Sequence, residues 1–374
     1  MDKFKAGTYK QQLEYKSFLP NGINHELSVN DKEIIMLLEE AGLYLGELEA
    51  FSQLIPDIDL FIKMHIYKEA TLSSKIEGTQ TTMDEAVSPK EAVLPEKRDE
   101  WQEIQNYTKA INYAQKELEN LPVSLRLICK IHEILLSGVR GEYKNPGEIR
   151  RSQNWIGGSN LKDAFFIPPH FEDLPNLLSD LEKFWHNKSL QIPILIKIAI
   201  FHYQFETIHP FCDGNGRMGR LLIPLMLISE KILSKPSLYI SSFFEKNKGS
   251  YYDSLTMVRQ TNDIKQWVKF FLSGIIDTVK NGKDTLKNVI SYKEKVDDII
   301  LSLGHNATDA KQLIRHMFGE PVLNIGQVSL KLNCSYGKAN SLIQKLVKLN
   351  ILKERTNSLR NRYYELNNYL DLFK

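Results

Sequence analysis

Apolar residues recur at three- and four-residue spacing along most of this 374-residue chain, and this spacing predicts a mainly α-helical fold. The clearest runs are DKEIIMLLEEAGLYLGELEAF (31–51), LPNLLSDLEKFW (174–185) and the segment from Ile192 to Ile208. One region differs. NWIGGSNLKDAFFIPPH (154–170) mixes aromatic residues with Gly-Gly and Pro-Pro, which predicts an exposed turn with two short extended arms.

The composition excludes several classes of protein. A formal net charge of +2 does not indicate a nucleic-acid binder, so any basic surface must be local. The two most apolar segments are short and are interrupted by Lys197 and Pro224, so we expect no membrane span. The start of the chain lacks an apolar signal segment. The three cysteines of the chain lie far apart in sequence and lack the spacing of a metal site. From these features together we expect a cytoplasmic protein.

The stretch HPFCDGNGRMGR (209–220) brings together groups that suit phosphate chemistry. An apolar helix ends before His209-Pro210, and a helical pattern resumes at about Arg217, so a helix N-terminus points into a glycine-containing loop. Such an N-terminus binds anions. His209 is a natural proton acceptor, and Asp213 could share Mg²⁺ with phosphate oxygens. Together, these residue types in one short loop predict phosphoryl or nucleotidyl transfer from a Mg-nucleotide. The alternative is a tight turn whose charged side chains form structural salt bridges.

The same stretch resembles the Fic motif, HPFx(D/E)GNGRxxR, with every defined position filled. The resemblance extends over most of Leu121 to about Val279, through GEYKNPGEIRRSQNWIGG, DAFFIPPH and FHYQFETIHPF before the motif and NKGSYYDSL and DIKQWVKFFL after it. It implies a helical core with a small β-hairpin flap. It also implies transfer of AMP from ATP to a Ser, Thr or Tyr hydroxyl of a target protein.

The resemblance implies a role for each residue of the motif. His209 would deprotonate the hydroxyl, Asp213 would hold Mg²⁺, and Arg217 and Arg220 would hold the outer phosphates. The predicted ATP- and phosphate-binding residues are Gly214, Asn215, Gly216, Arg217, Met218, Gly219 and Arg220. The flap, 156–169, would align the target by main-chain pairing.

A second resemblance lies upstream, where Ser73 to Gly78 (SSKIEG) match the family's inhibitory motif, (S/T)xxxE(G/N). In members with this motif the glutamate pairs with the second arginine of the loop, so Glu77 is expected to pair with Arg220. Ser73 and Glu77 are four residues apart and lie on one helix face. A carboxylate paired with an arginine competes directly with phosphate for it. The alternative is a solvated glutamate at a helix end.

Two further assignments concern the walls of the site. Tyr251 and Tyr252 are predicted to line the adenine pocket, with plain core packing at a helix start as the alternative. His202 lies seven residues before His209 and is interpreted as a core histidine rather than a second base.

The C-terminal segment resembles a winged helix-turn-helix domain, with three helices followed by two strands around Thr356-Asn357-Ser358. Basic residues outnumber acidic ones there, which makes DNA contact through 324–366 one hypothesis and protein interaction the alternative. The basic residues are Lys331, Lys338, Lys345, Lys348, Lys353, Arg355, Arg360 and Arg362.

Three regions are therefore predicted: an N-terminal helical region with the inhibitory helix (1–110), a Fic core (111–285), and a linker helix with the winged helix (286–374). The leading function is autoinhibited protein adenylyl transfer. The alternatives are a nucleotide-sensing, DNA-binding regulator, or transfer from another phosphate-linked donor. A homodimer stays open.

Overall fold

The computed structural model describes residues 3–55, 57–139, 141–355 and 362–374, and helices dominate it. The prediction of a mainly α fold is confirmed. The helices of the described residues are, in chain order, α1 Lys32–Gln53, α2 Ile58–Ile76, α3 Met83–Ala86, α4 Arg98–Glu117, α5 Leu125–Leu135, α6 Leu174–His186, α7 Ile194–Ile208, α8 Asn215–Ser229, α9 Ser241–Lys246, α10 Lys248–Thr261, α11 Lys265–Leu301, α12 Ala307–Gly319, α13 Ile325–Lys331, α14 Tyr336–Lys348 and α15 Asn367–Leu370. None of them is both long enough and apolar enough to cross a membrane.

The centre of the fold is α7, which is buried on every side. All residues from Leu195 to Ile208 are buried, as expected for a helix that is apolar around its whole circumference. The indole nitrogen of Trp267 in α11 donates to the carbonyl oxygen of Ala199 at 2.7 Å. Helix α7 cannot shift without opening the core. The backbone position of His209, the residue that follows α7, is therefore fixed.

The N-terminal segment forms an antiparallel hairpin that the sequence analysis did not predict. Its strands are β1 Gly7–Gln11 and β2 Lys16–Pro20. The amide of Phe18 donates to the carbonyl oxygen of Ile167 at 2.9 Å, so β2 lies against one arm of the predicted flap. The hairpin was missed because GTYKQ and KSFLP carry little of the period-two alternation that marks a strand.

The predicted flap, 156–169, consists of two extended arms joined by a single antiparallel bridge between Ile156 and Phe166. The carboxylate of Asp163 closes the turn by accepting bonds from the amides of Ser159 and Asn160. Phe165, beside the bridge, is 68% exposed. Residues 156–169 contain no regular strand, and the β-hairpin flap stays a prediction.

Helix α11 is one continuous helix of 37 residues. It packs along α1, where Lys280 pairs with Glu40 at 3.1 Å and Lys283 with Glu47 at 2.5 Å. The predicted division between residues 285 and 286 falls inside this helix, so α11 belongs to both the core and the unit that follows.

The C-terminal unit contains α12 to α15 and a three-stranded antiparallel sheet. The sheet strands are β3 Val322–Asn324, β4 Lys353–Glu354 and β5 Tyr363–Glu365, in the order β3-β5-β4. The order of three helices followed by two strands is as predicted, and β3 is an additional strand. The assignment of this unit as a winged helix-turn-helix stays a prediction. The predicted wing tip, with Thr356-Asn357-Ser358 and Arg360, lies outside the described residues.

This unit packs against α2 and α3. The ring of Phe318 in α12 meets Phe61 of α2 with centroids 5.4 Å apart. Arg355 donates to the carbonyl oxygen of Asp84 at 3.1 Å, and Lys374 pairs with the carboxylate of Asp84 at 3.0 Å. Helix α2 therefore lies between the central helices and the C-terminal unit.

Candidate active site

The loop predicted from the sequence is bounded by two residues with left-handed backbone conformations. His209 ends α7 with φ 49°, and Gly214 precedes α8 with φ 76°. Glycine adopts this region without strain, whereas a histidine there is held by its surroundings. The first-turn amides of α8, from Asn215 to Arg217, have no carbonyl acceptor within the helix and point into the loop. The positive end of the α8 dipole thus points into the loop that begins at His209.

His209 is positioned as a proton acceptor. Its Nδ1 faces the carbonyl oxygen of Glu206 at 3.4 Å, an arrangement that assigns the proton to Nδ1 and leaves the lone pair on Nε2. Burial, reinforced by the charge of Arg150, lowers the pKa of His209 to about 4. The imidazole is therefore neutral and able to accept a proton at physiological pH.

Arg150 holds the loop and the flap together. Its guanidinium is buried and donates to four carbonyl oxygens. These are His209 at 2.9 Å, Ser152 at 3.0 Å, Pro169 at 2.6 Å and Ile208 at 3.4 Å. Burial lowers the pKa of Arg150 to about 10, so the side chain remains charged. One residue thus fixes both the backbone of the base and the end of the flap.

The interior of the loop is tied down by side chains. His132 in α5 accepts a bond from the amide of Gly147 at its Nδ1 (2.8 Å), so its Nε2 donates to the carbonyl oxygen of Asp213, also at 2.8 Å. Its ring stacks on Phe211 with centroids 3.7 Å apart. The side-chain amide of Asn215 bonds both the amide and the carbonyl of Phe211 at 2.8 Å. The side chain of Asn215 is therefore engaged within the loop, and its backbone amide is the group that it offers to a ligand.

The two arginines of the motif point to different partners. Arg217 is buried and pairs with Glu103 of α4 at 2.9 Å, with Asp213 at a longer 3.7 Å. Arg220 is 1% exposed, and its Nη2 lies 2.6 Å from the Oε1 of Glu77. Arg220 also donates from Nε to the hydroxyl of Ser73 at 3.0 Å and from Nη2 to the carbonyl oxygen of Ser73 at 2.9 Å.

The Glu77 carboxylate lies above the first turn of α8. A Cβ added to Gly216 would collide with Glu77 Oε1, so the carboxylate lies directly against the first turn of α8. Burial alone would raise the pKa of Glu77, but the charge of Arg220 lowers it below its usual value. An ionised carboxylate thus sits where an anionic ligand of α8 would bind.

Asp213 is the predicted metal ligand. Its side chain is 40% exposed, and one of its oxygens accepts a bond from the amide of Gly214 at 2.7 Å. Within the described ranges, no group of three or more His, Cys, Asp or Glu side chains is arranged to hold a metal ion. A single exposed carboxylate beside an anion site fits Mg²⁺ only when phosphate oxygens and water supply the other ligands.

Comparisons with known proteins agree with this geometry. A model of the Fic/DOC family N-terminal region matches residues 35–116, and a Fic/DOC family model matches residues 122–227, together half of the chain. The chain belongs to the Fic/DOC family.

Curated relatives of this Fic protein carry the name protein adenylyltransferase Fic. The protein from Culex quinquefasciatus is 32% identical over 238 residues, 62% of this chain and 41% of the relative. The protein from Aedes aegypti is 32% identical over 212 residues, 55% of this chain and 38% of the relative. This Fic protein thus spans about two fifths of the length of the curated relatives that it matches.

Solved structures share the fold. A Fic family protein from Desulfovibrio desulfuricans has a TM-score of 0.57 at 22% identity and covers 91% of this chain and 98% of its own. A Fic domain containing signaling protein from Bacteroides thetaiotaomicron has a TM-score of 0.51 at 19% identity, covering 67% of this chain and 95% of its own.

The predicted adenine-pocket residues differ in exposure in this Fic protein. Tyr251 is 1% exposed, and its hydroxyl lies 2.9 Å from Nε2 of His202. Nδ1 of His202 lies 3.1 Å from the carbonyl oxygen of Gly219, so His202 is a satisfied core histidine, as interpreted. Tyr252 is 37% exposed. Of the two tyrosines, only Tyr252 presents a surface that a base could contact, and the adenine pocket stays a prediction.

Four buried residues of the site were not predicted from the sequence: Glu103, His132, Arg150 and Glu206. Glu206 is 8% exposed, and its Oε1 has no hydrogen-bond partner among the described residues. Burial raises the pKa of Glu206 to about 7. A signal for Arg150 and Glu206 existed in EIRRSQNW and FETIHPF, but a charged residue in a sequence does not reveal that it will be buried.

The buried histidines predict that this Fic protein loses stability in acid. Burial lowers the pKa values of His65 and His202 to about 3 and that of His132 to about 4. Below pH 6.5 the unfolded chain binds protons that the folded chain does not, so the free energy of unfolding falls as the pH drops. At pH 5 each histidine should cost about 2 kcal/mol.

Glu206 acts in the opposite direction, because its raised pKa lets the folded state take up a proton first. This uptake should offset about 2 kcal/mol of the loss between pH 7 and pH 5. Because burial lowers the pKa of His209 to about 4 as well, four histidines together cost about 8 kcal/mol, and the net loss is about 6 kcal/mol. Urea unfolding at pH 7 and pH 5 measures the change. Equal stability at the two pH values would contradict the burial of neutral imidazoles.

Proposed function

We propose that this Fic protein transfers AMP from ATP to a Ser, Thr or Tyr hydroxyl of a target protein. The observation that carries the proposal is the buried, neutral imidazole of His209 at the start of the loop into which the N-terminus of α8 points. A base with a free lone pair thus stands beside a site for phosphate.

In the proposed reaction the α-phosphate of ATP lies against the first-turn amides of α8. The target hydroxyl attacks the α-phosphorus, and its proton passes to Nε2 of His209. The bond between the α-phosphorus and the bridging oxygen breaks, and diphosphate leaves. The α8 amides and Arg220 stabilise the charge that develops on the phosphate oxygens.

Asp213 would hold Mg²⁺ together with the phosphate oxygens of ATP. The ion would neutralise phosphate charge when bound. The contacts of the two arginines suggest different tasks. Arg217, held by Glu103, supplies a fixed charge beneath the loop, whereas Arg220 can reach the outer phosphates only after it leaves Glu77.

The Glu77–Arg220 pair is proposed to inhibit the enzyme. The arginine cannot bind a carboxylate and an outer phosphate with the same donors, and the Glu77 carboxylate also repels a phosphate from the α8 N-terminus. ATP would then bind in an unproductive pose. Ser73 supports the pair by accepting from the other side of the guanidinium.

The flap is the proposed docking site for the target. Its arms, 156–169, are extended, and Trp155 and Phe165 beside the bridge are 40% and 68% exposed. An extended segment of a target could add to this edge by main-chain hydrogen bonds, with the exposed rings selecting side chains. Since Arg150 bonds both Pro169 and His209, the docked hydroxyl would meet the base at a fixed distance.

Labelled ATP tests the donor and the group transferred. Wild-type protein with Mg²⁺ and host-cell lysate should transfer label to protein from α-labelled ATP and not from γ-labelled ATP. Label from both positions would indicate a phosphate or diphosphate group rather than AMP. If ATP gives no labelled protein but another labelled nucleotide does, the protein transfers a nucleotide group by the same chemistry from a donor other than ATP.

The contacts of the C-terminal unit give the DNA-binding hypothesis little support. Lys331 pairs with Glu320 at 2.7 Å and Lys338 with Asp309 at 2.6 Å. Arg362 lies 3.4 Å from Glu354. Cations that are already neutralised contribute little to counterion release. The packing of the unit against α2 favours a role in positioning that helix.

A further inference from the structure

A small polar cavity lies between α2, α11 and the segment before α9, away from the motif loop. It measures about 40 Å³ and is lined by His65, Lys68, Ser237, Tyr239 and Thr278, among others. Volume of this size holds about three waters or a compact tetrahedral oxyanion. The proposed transfer reaction does not use any of these side chains.

Four polar atoms that line the cavity are buried without a hydrogen-bond partner among the described residues. They are Nε2 of His65, Oγ of Ser237, the hydroxyl of Tyr239 and Oγ1 of Thr278. Their side chains are 7%, 5%, 7% and 9% exposed. Unpartnered buried polar groups are rare in folded proteins because they lose water without a replacement. Four around one cavity indicate that something polar belongs inside it.

The chemistry of the lining selects an anion. All four groups can donate a hydrogen: three are hydroxyls, and a neutral imidazole can carry its proton on Nε2. The half-buried ammonium of Lys68 stands beside them and, within the described part of the chain, has no carboxylate or carbonyl partner. A cationic ligand would be repelled by Lys68, whereas an oxyanion would satisfy the ammonium and the donors together.

The one carboxyl group in the lining, Glu69, is already engaged. Its oxygens accept bonds from the hydroxyl of Ser241 at 2.5 Å, from the amide of Ser241 at 3.1 Å and from the hydroxyl of Tyr107 at 3.2 Å. Burial also raises the pKa of Glu69. Glu69 is therefore compatible with an anion in the same cavity.

The cavity shares Lys68 and Leu72 with a larger groove of about 620 Å³. Lysines border this groove at Lys75, Lys246 and Lys374. Lys75 is paired with Glu245 and Lys374 with Asp84, so the positive charge of the groove that attracts an anion comes from Lys68 and Lys246. The groove gives an anion a route from solvent to the buried donors.

We propose that this cavity binds a small oxyanion of the size of inorganic phosphate, held by Lys68 and the hydroxyls of Ser237, Tyr239 and Thr278. The bound anion would link α2 to α11 and to the segment before α9. The proposal does not depend on AMP transfer, because binding can be measured without activity.

Calorimetric titration of the full chain with inorganic phosphate tests the site. We compare wild type, Lys68→Gln, which removes the ammonium, and Thr278→Val, which removes one hydroxyl at nearly constant volume. Lys246→Gln is the matched control, because it removes the same charge from the exposed groove. Phosphate should saturate wild type and Lys246→Gln, and should bind about tenfold more weakly to the two cavity variants. Thermal unfolding should show the same order of stabilisation by phosphate.

Two results would overturn the proposal. Saturable binding that is unchanged in both Lys68→Gln and Thr278→Val would place the phosphate elsewhere, for example at the N-terminus of α8. No saturable binding to wild type would mean that the cavity holds water only. The two cavity variants guard against misfolding, since loss of binding counts only where thermal unfolding without phosphate resembles that of wild type.

Discussion

Glu77→Gly is expected to raise AMP transfer by about 10- to 100-fold, the effect of breaking a charge-assisted hydrogen bond that opposes substrate binding. The substitution releases Arg220 for the outer phosphates and removes a carboxylate from the space above Gly216. Transfer of label from α-labelled ATP to protein measures the change. Ser73→Ala should give a smaller increase, because Arg220 would keep its bond to Glu77.

The control for this prediction is Glu245→Gln. Glu245 pairs with Lys75 at 2.9 Å near the end of α2 but does not touch the motif loop. Its replacement should leave the rate close to that of wild type. If folded Glu77→Gly protein labels no more substrate than wild type does, the Glu77–Arg220 pair is structural and the proposed inhibition is wrong.

His209→Ala is expected to abolish AMP transfer while leaving ATP binding intact. Loss of a positioned general base lowers rates by about 10²- to 10⁴-fold, so the measurement belongs in the Glu77→Gly background, where the signal is largest. His209→Asn should behave in the same way. Asparagine tolerates the left-handed backbone at this position better than alanine does, which separates loss of the base from strain in the loop.

The matched control is His305→Ala, which removes an exposed imidazole from the C-terminal unit. It should leave both transfer and ATP binding unchanged. Calorimetry with ATP completes the test, because the phosphate contacts of α8 do not need the His209 side chain. Transfer that survives in both His209 variants would show that another group accepts the proton.

The fold class was readable from the sequence because helix periodicity is a local property. Helix α6 begins at Leu174 with Pro175 in its first turn, as DLPNLL predicts. Helix α7 ends at Ile208, where the loop was expected to start. The N-terminal hairpin escaped because its two strands, although neighbours in sequence, carry little period-two alternation. Strand β3 escaped because its partner, β5, is distant in sequence.

Part of the candidate site could also be predicted from the sequence, because that part is local along the chain. The motif loop is one continuous segment, so its glycines, histidine and arginines could be placed around a helix N-terminus without any tertiary information. The Glu77–Arg220 contact was expected from a family resemblance, and the structure places the two side chains 2.6 Å apart. The side-chain bonds of Asn215 and the pairing of Arg217 with Glu103 were not foreseen.

By itself, the sequence determined the helical class and the position of the loop between α7 and α8, and it supplied the proposed base and the proposed anion-binding amides. These features follow from residues that are neighbours along the chain. Only the tertiary structure decided that Glu103 holds Arg217, that Arg150 joins the flap to His209, and that four polar groups face one cavity under α2. The physical reason is that the burial and pairing of polar groups depend on which distant segments of the chain pack together. The identity of a side chain alone does not specify that packing.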